Sequence, residues 1–285
     1  GALWYTSTFT KFDMLNDVVS KQKETVTAGL WSDNLASLTT FHTGSAQTTS
    51  QRRYYVDVYH KAPGATGSAV QFSLAYGHAK GSGSSALGTS NDSPSRAIYS
   101  QYRQLLLNPG DSRFTTAGSG STDHIYVINF KRNRLRERLD AGNFELPLTQ
   151  ISASRPLNAT GSVSASRTSG TVISLIDDSS LASPSIGDSG TIYNIVSGSI
   201  DGGVFNSTAP IYYGLAYPDH GVLVLDAKML DQQLNFQTNT GSNSEGNNHF
   251  ALFHSISGSA LQTAPSGDAY GFLARNSEKV TSTHY

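Results

Sequence analysis

Gly187-Asp-Ser-Gly190 carries the residue types of a nucleophile turn, in which a serine attacks an acyl group. That chemistry needs a histidine base and an orienting carboxylate converging on Ser189. His124 and several aspartates precede it, but no segment has the form of a histidine motif. The same four residues also make an ordinary turn between two strand-like runs, and that reading is preferred. Asp177-Asp178 offers a carboxylate pair for acid/base work, or half of a Ca²⁺ site. Paired-carboxylate catalysis sets two acids across a cleft, whereas neighbours in a strand point to opposite faces. A strand-end turn is expected there. The eight histidines (His42, His60, His78, His124, His220, His249, His254 and His284) are scattered, with no i, i+4 pair to chelate a metal. Asn239 to Asn248 holds one acid, Glu245, too few for a tight Ca²⁺ loop. Gly81-Ser-Gly83 lacks the lysine and the helix signal of a phosphate loop. On these residues the chain is expected to be no enzyme, with no catalytic, cofactor-binding or metal-ligating residue.

One charged cluster remains. Ile125 to Phe130 is an apolar, β-type run that passes directly into Lys131, Arg132, Arg134, Arg136 and Arg138. These are five of the twenty Lys and Arg in a chain with 14% charged residues. An Ala141-Gly-Asn143 turn and a second apolar run follow. As a helix, the segment places Arg132, Arg136 and Asp140 on one face and Arg134 and Arg138 on another, with Leu135 and Leu139 facing the core. A nucleic-acid helix would bring stacking aromatics or a basic surround, and neither is near in sequence. The net charge of −1 supplies no global attraction for DNA, RNA or an anionic membrane. The run is therefore expected to be a strand-to-helix element that docks on other protein subunits, through arginines suited to forked contacts.

The elements that position these groups are read from punctuation and periodicity. A chain of 285 residues can bury a sizeable core. Cysteine is absent, so packing and assembly must supply the stability. Ser, Thr and Gly make up about a third of the residues, with fourteen tyrosines; these types suit strands, tight turns and wet interfaces. No run approaches the ~20 apolar residues of a membrane span. Gly1-Ala-Leu-Trp-Tyr-Thr lacks the flank and apolar run of a secretory signal, and Tyr5 breaks the myristoylation pattern. Helices are predicted over Lys11 to Ala28, from Ser93-Pro94 to Asn108-Pro109-Gly110, after Asp226 through Leu234, and over Phe250 to Ile256, where helix spacing fits slightly better than a strand. Strands are predicted over Tyr54 to Tyr59, Val70 to Tyr76, Ile125 to Phe130, Phe144 to Ile151, Thr171 to Ile176, Thr191 to Val196, Ile211 to Tyr217, Val222 to Leu225 and Ala269 to Ala274. Lys80 to Ser95, Thr115 to Thr122 and Gln237 to Asn248 read as loops, and Ser152 to Gly170 as a linker. The expected class is α+β and β-rich, with several antiparallel strands and about four short helices. The expected division is an N-terminal α+β region, 1–160, and a C-terminal β-rich region, 161–285.

Several segments together resemble a known family. They are Tyr54-Tyr-Val-Asp-Val-Tyr59, Val70-Gln-Phe-Ser-Leu-Ala-Tyr-Gly-His78, Ile98-Tyr-Ser-Gln-Tyr-Arg-Gln-Leu-Leu-Leu107, His124-Ile-Tyr-Val-Ile-Asn-Phe130 with Arg134 to Glu145, Ile195-Val-Ser-Gly-Ser-Ile200 and Ala274 to Tyr285. In that order they resemble a virion structural protein, tail- or baseplate-associated, of T4-like myoviruses of the cyanophage and marine-phage type. The resemblance runs from about Lys11 to the end. It implies a non-enzymatic component acting through assembly contacts, located in the virion and assembled in the host cytoplasm. Other virion proteins and further copies of the same chain are the implied partners, with no cofactor and no membrane span. It also implies a chain that continues past Tyr285, so a longer polypeptide is expected. Two other readings stand beside it. One is a capsid decoration or vertex protein. The other is a glycan-binding adsorption domain in which tyrosines and Trp4 or Trp31 stack on sugars.

Overall fold

The computed structural model describes residues 20–44, 55–84, 93–151, 168–241 and 248–284. In chain order the strands are β1 (Ser20–Gly29), β2 (Ser37–Leu38), β3 (His42–Gly44), β4 (Tyr55–Tyr59) and β5 (Val70–His78). Helix α1 (Pro94–Leu106) follows, then β6 (Phe114–Thr116), β7 (Gly120–Thr122), β8 (His124–Phe130), β9 (Arg138–Ile151) and β10 (Thr168–Asp177). Next come β11 (Ser185–Gly187), β12 (Gly190–Ser199), β13 (Gly203–Val204), β14 (Tyr212–Tyr217) and β15 (Val222–Asp226). The chain closes with α2 (Ala227–Leu234), α3 (Asn248–Ser259) and β16 (Phe272–His284). The β-rich α+β class holds, with three α-helices among the described residues instead of about four.

Among the described residues fourteen strands form one antiparallel sheet in the order β1-β16-β9-β10-β12-β14-β15-β8-β5-β4-β3, with β2, β11 and β13 attached at its sides. The other two strands, β6 and β7, form a separate hairpin where a Gly/Ser-rich loop is predicted. The expected division near residue 161 does not separate two sheets. Strand β9 lies between β16 and β10, and β8 lies between β15 and β5, so strands of both regions hydrogen-bond side by side in one sheet. Residues 152–167 themselves lie outside the described residues.

Helix α3 explains why so long a sheet holds together. All twelve of its residues are buried, and it packs against β9 and β10 as well as β4 and β5, strands far apart in the sheet order. The sheet therefore curls around the helix. A helix buried on every side must satisfy its own polar groups. Ser255 Oγ donates to the Thr149 carbonyl of β9 at 2.7 Å, while the hydroxyls of Ser257 and Ser259 donate to Phe253 and Ile256 of the same helix. A second apolar cluster lies on the other face of β5, β8 and β15, where Ile98, Tyr99, Tyr102 and Leu106 of α1 pack on Ala75, Val127 and Val224. Asp226 ends β15 and caps α2, accepting from the Lys228 backbone at 3.0 Å. The same carboxylate accepts from Thr116, Ser119 and Thr122, so one buried acid ties the β6–β7 hairpin to the helix start.

Two predicted helices become strands, in whole or in part. Ser20–Gly29 is strand β1 over its whole length, where Lys11 to Ala28 reads as helix; residues 11–19 lie outside the described residues. The basic run is no helix either. It is a single 3₁₀ turn, Arg132–Arg134, followed by β9, which begins at Arg138.

Candidate docking surface

The basic turn owes its shape to what holds its two ends. At its start, the Phe130 backbone donates to Gly221 and the Lys131 backbone to Gln71. Leu135 and Leu139 are both buried. Their i, i+4 spacing satisfies a helix, but Leu135 caps the end of the 3₁₀ turn and only Leu139 lies in β9. The strand prevails because Arg138 and Leu139 pair with Ser277 and Asn276 of β16. The Ala141-Gly-Asn turn is then a bulge inside β9, with Gly142 at φ 78° and its N–H donating to Asp177 Oδ2 at 2.7 Å. A positive φ there favours glycine.

The five basic residues divide into two groups. Arg136 pairs with Glu278, and Arg138 Nη1 lies 3.8 Å from Asp219 Oδ1. Arg134 accepts a backbone bond from Asn276 Nδ2 at 3.2 Å. Lys131 and Arg132 are exposed, and no ion pair engages them among the described residues. The turn thus clamps β16: Glu137 donates its N–H to the Ser277 carbonyl and accepts the Lys279 N–H on its carboxylate at 2.8 Å.

What is clamped is an arm that sequence reading leaves out. β1 pairs with β16 continuously from Ser20↔His284 to Gly29↔Arg275, whereas β9 pairs with β16 only between Leu273 and Ser277. Beyond Ser277 the two strands form a ribbon of their own. Gln22 to Thr27 are exposed at every position. Successive strand residues point to opposite faces, so both faces of the ribbon are uncovered. Residues directly opposite share a face. One face therefore carries Lys23, Thr25, Lys279 and Thr281, with Arg275 nearer the root; the other carries Glu24, Val26, Glu278 and Val280. Each valine is 38% exposed. The ribbon is basic on one side and acidic with an apolar stripe on the other. The β1 edge is also the end of the sheet formed by the described residues, a row of main-chain donors and acceptors with no described strand beside it.

The other chemical candidates are occupied in structural work. Gly187-Asp-Ser-Gly190 is the turn of the β11–β12 hairpin, and Ser189 Oγ donates to the Leu106 carbonyl at 2.8 Å. Asp177 accepts from the Ser179 and Gly142 backbones; Asp178 accepts from Asn194 through N–H and Nδ2 at 3.0 and 2.8 Å. Burial lifts the Asp177 carboxyl above the usual range, and those donors oppose the shift. Asn248 closes its loop by exchanging two bonds with the Asn239 backbone; residues 242–247 lie outside the described residues. Trp31 is buried and cannot stack on a sugar; Trp4 lies outside the described residues. Among the described residues no three His, Asp or Glu converge as metal ligands do.

His78 and His124 face each other across β5 and β8, rings stacked with centroids 5.8 Å apart. Burial holds the His78 imidazole below its usual range and the neighbouring His124 pushes the same way, while Asp123 opposes. The native state thus releases the His78 proton at lower pH than the unfolded chain does. The stabilisation is full above about pH 6.5 and declines as pH falls through that value toward the lowered native one. The urea midpoint is expected to drop between pH 7.5 and 5.5, and His78→Gln to flatten that drop. Equal pH slopes in the two proteins would refute the assignment.

Comparison with protein-family models, with curated proteins and with solved structures yields no match.

Proposed function

We propose that this chain is a non-enzymatic structural component of a tailed-phage virion, in the contractile tail or baseplate, and that the β1–β16 arm with its basic clamp is its docking element. The observation that carries the docking role is a ribbon uncovered on both faces. A two-stranded ribbon is marginally stable in water by itself. This one is held at the root by Arg134, Arg136 and Glu137 and has no layer against its outer half among the described residues. A neighbouring subunit supplies the missing layer, either against a charged face or by adding a strand to the β1 edge. The tail or baseplate assignment rests on the segments that resemble myovirus virion proteins, and the partners are other virion subunits, copies of this chain included.

The test replaces the resident gene in such a phage with a Lys23→Glu, Lys279→Glu, Lys131→Glu, Arg132→Glu variant. All four side chains are exposed, so stability should stay within about 1 kcal/mol. Incorporation into particles is expected to fall at least tenfold while the isolated chain remains folded by circular dichroism. Particles carrying normal amounts of the variant would overturn the docking role, and a reconstruction placing the chain on the capsid would overturn the tail assignment.

A further inference from the structure

Strands β10 and β12 part company halfway along. They pair only from Leu175↔Ser197 to Asp177↔Ile195, although β10 continues along β9 back to Thr168. A cleft of about 570 Å³ opens where they diverge, roofed by the β12–β13 hairpin and reached by Tyr213 of β14 and Gln233 of α2. That volume is in the range of small-molecule sites, about 300–1,000 Å³.

Three features of the cleft define what it would hold. Among the described residues none that lines the cleft is charged, so none of them pairs with a phosphate, a carboxylate or an ammonium. Ser197 is 7% exposed, and its hydroxyl has no hydrogen-bond partner among the described residues. A buried hydroxyl without a partner calls for one, and an apolar ligand would leave it dry. Phe205 is 71% exposed, and it is the one aromatic residue among those described that is mostly exposed. Its backbone is held beside Ser197, because its N–H donates to the Ser197 carbonyl at 2.8 Å. Phe205, the unpaired Ser197 hydroxyl and Gln233 all belong to the lining of this one cleft. Burial pushes the Tyr213 phenol up to about 12, so it remains a neutral lining group.

We propose that this cleft binds a neutral saccharide, one ring stacking on Phe205 while its hydroxyls pair with Ser197 and Gln233. A sugar presents an apolar C–H face and a rim of neutral donors and acceptors, which is what these residues complement. The site is separate from the arm and does not depend on the assembly reading.

The test is calorimetric titration of the intact chain with maltohexaose, cellohexaose, mannohexaose, chitohexaose and a neutral O-polysaccharide fragment, alongside polygalacturonate as an anionic probe. Saturable binding in about the millimolar range or tighter is expected for at least one neutral glycan. Phe205→Ala should weaken it about tenfold or more through loss of the stacked ring, and Ser197→Ala several-fold. Phe205 is exposed, so its variant keeps the wild-type melting curve and enters particles normally. Absence of binding by every neutral glycan, preference for polygalacturonate, or binding indifferent to Phe205→Ala would each overturn the proposal.

Discussion

Trp31→Ala is expected to lower the unfolding free energy by about 4–6 kcal/mol, much of what a domain ordinarily has. The indole sits within 5.0 Å of the Phe272 ring centroid, 5.8 Å of Phe72 and 5.9 Å of Phe130. Those three belong to β16, β5 and β8, strands on opposite arms of the curled sheet. Trp31 therefore fills the seam where the sheet comes back on itself. Removing a buried Trp side chain costs about 3–5 kcal/mol in lost burial and residual cavity. Its Nε1 also donates to the carbonyls of Phe272 at 2.9 Å and Ala36 at 3.1 Å, and leaving these unpaired adds about 1 kcal/mol or more. Trp31→Phe keeps most of the ring but loses both bonds, so about 2 kcal/mol is expected. Urea denaturation followed by far-ultraviolet dichroism measures the series. A Trp31→Ala midpoint close to wild type would show that the seam is held elsewhere. The effect should reach the arm as well, because Leu30 beside Trp31 donates to the Ala274 carbonyl at the ribbon's root.

The elements legible in the sequence are those where local chemistry and burial agree. Ser93-Pro94 opens α1, and of its periodic residues Ile98, Tyr102, Leu105 and Leu106 all are buried except Leu105, which faces away and is 46% exposed. Asp226 caps α2 through its side chain. Central strands such as β8 and β15 are continuous apolar runs, because both faces of the sheet are covered there. The arm defeats this reasoning for the converse reason. With both faces wet over Gln22 to Thr27, β1 has no apolar alternation to betray a strand, and the few apolar residues from Phe12 to Val26 fall by chance at helical spacing. Leu135 and Leu139 misled because one helical turn of spacing also separates a leucine that caps a 3₁₀ turn from one that opens a strand. In α3 the difficulty is an absence of contrast: a helix buried all round shows no polar face, so length and spacing alone must decide. The cleft was illegible for a topological reason. Ser174, Ser197, Phe205 and Gln233 meet only because β10 and β12 diverge, and no local pattern records a divergence. The basic run, by contrast, was visible as charge but not as a clamp, because its partners Glu278 and Asn276 are about 140 residues away.

Gly214→Ala is expected to cost about 3 kcal/mol or more, though it adds a single methyl group. The β12–β14 register runs from Ile195↔Gly214 to Val196↔Tyr212 and skips Tyr213, so a bulge lies here. Bulges re-aim a side chain, and this one contributes Tyr213 to the lining of the cleft. On its other side β14 runs close against β15: a Cβ on Gly214 would lie 2.0 Å from the Val224 carbonyl oxygen and 2.9 Å from the Leu225 Cα. Both obstacles are backbone in the middle of the sheet, where neither strand can yield without breaking the pairs Gly214↔Leu225 and Leu215↔Val224. Overpacking of this kind ordinarily costs about 1–3 kcal/mol, and more when main chain must move. Gly110 is the control: nothing lies within 4 Å of its Cβ position, so Gly110→Ala should stay within about 0.5 kcal/mol of wild type. The pair separates steric exclusion from any general effect of replacing glycine. If the two midpoints coincide, β14 is free to slide and Tyr213 has no fixed place in the cleft. If Gly214→Ala falls alone, the bulge is rigid, and a variant that folds at low temperature should also bind saccharide more weakly than Gly110→Ala does.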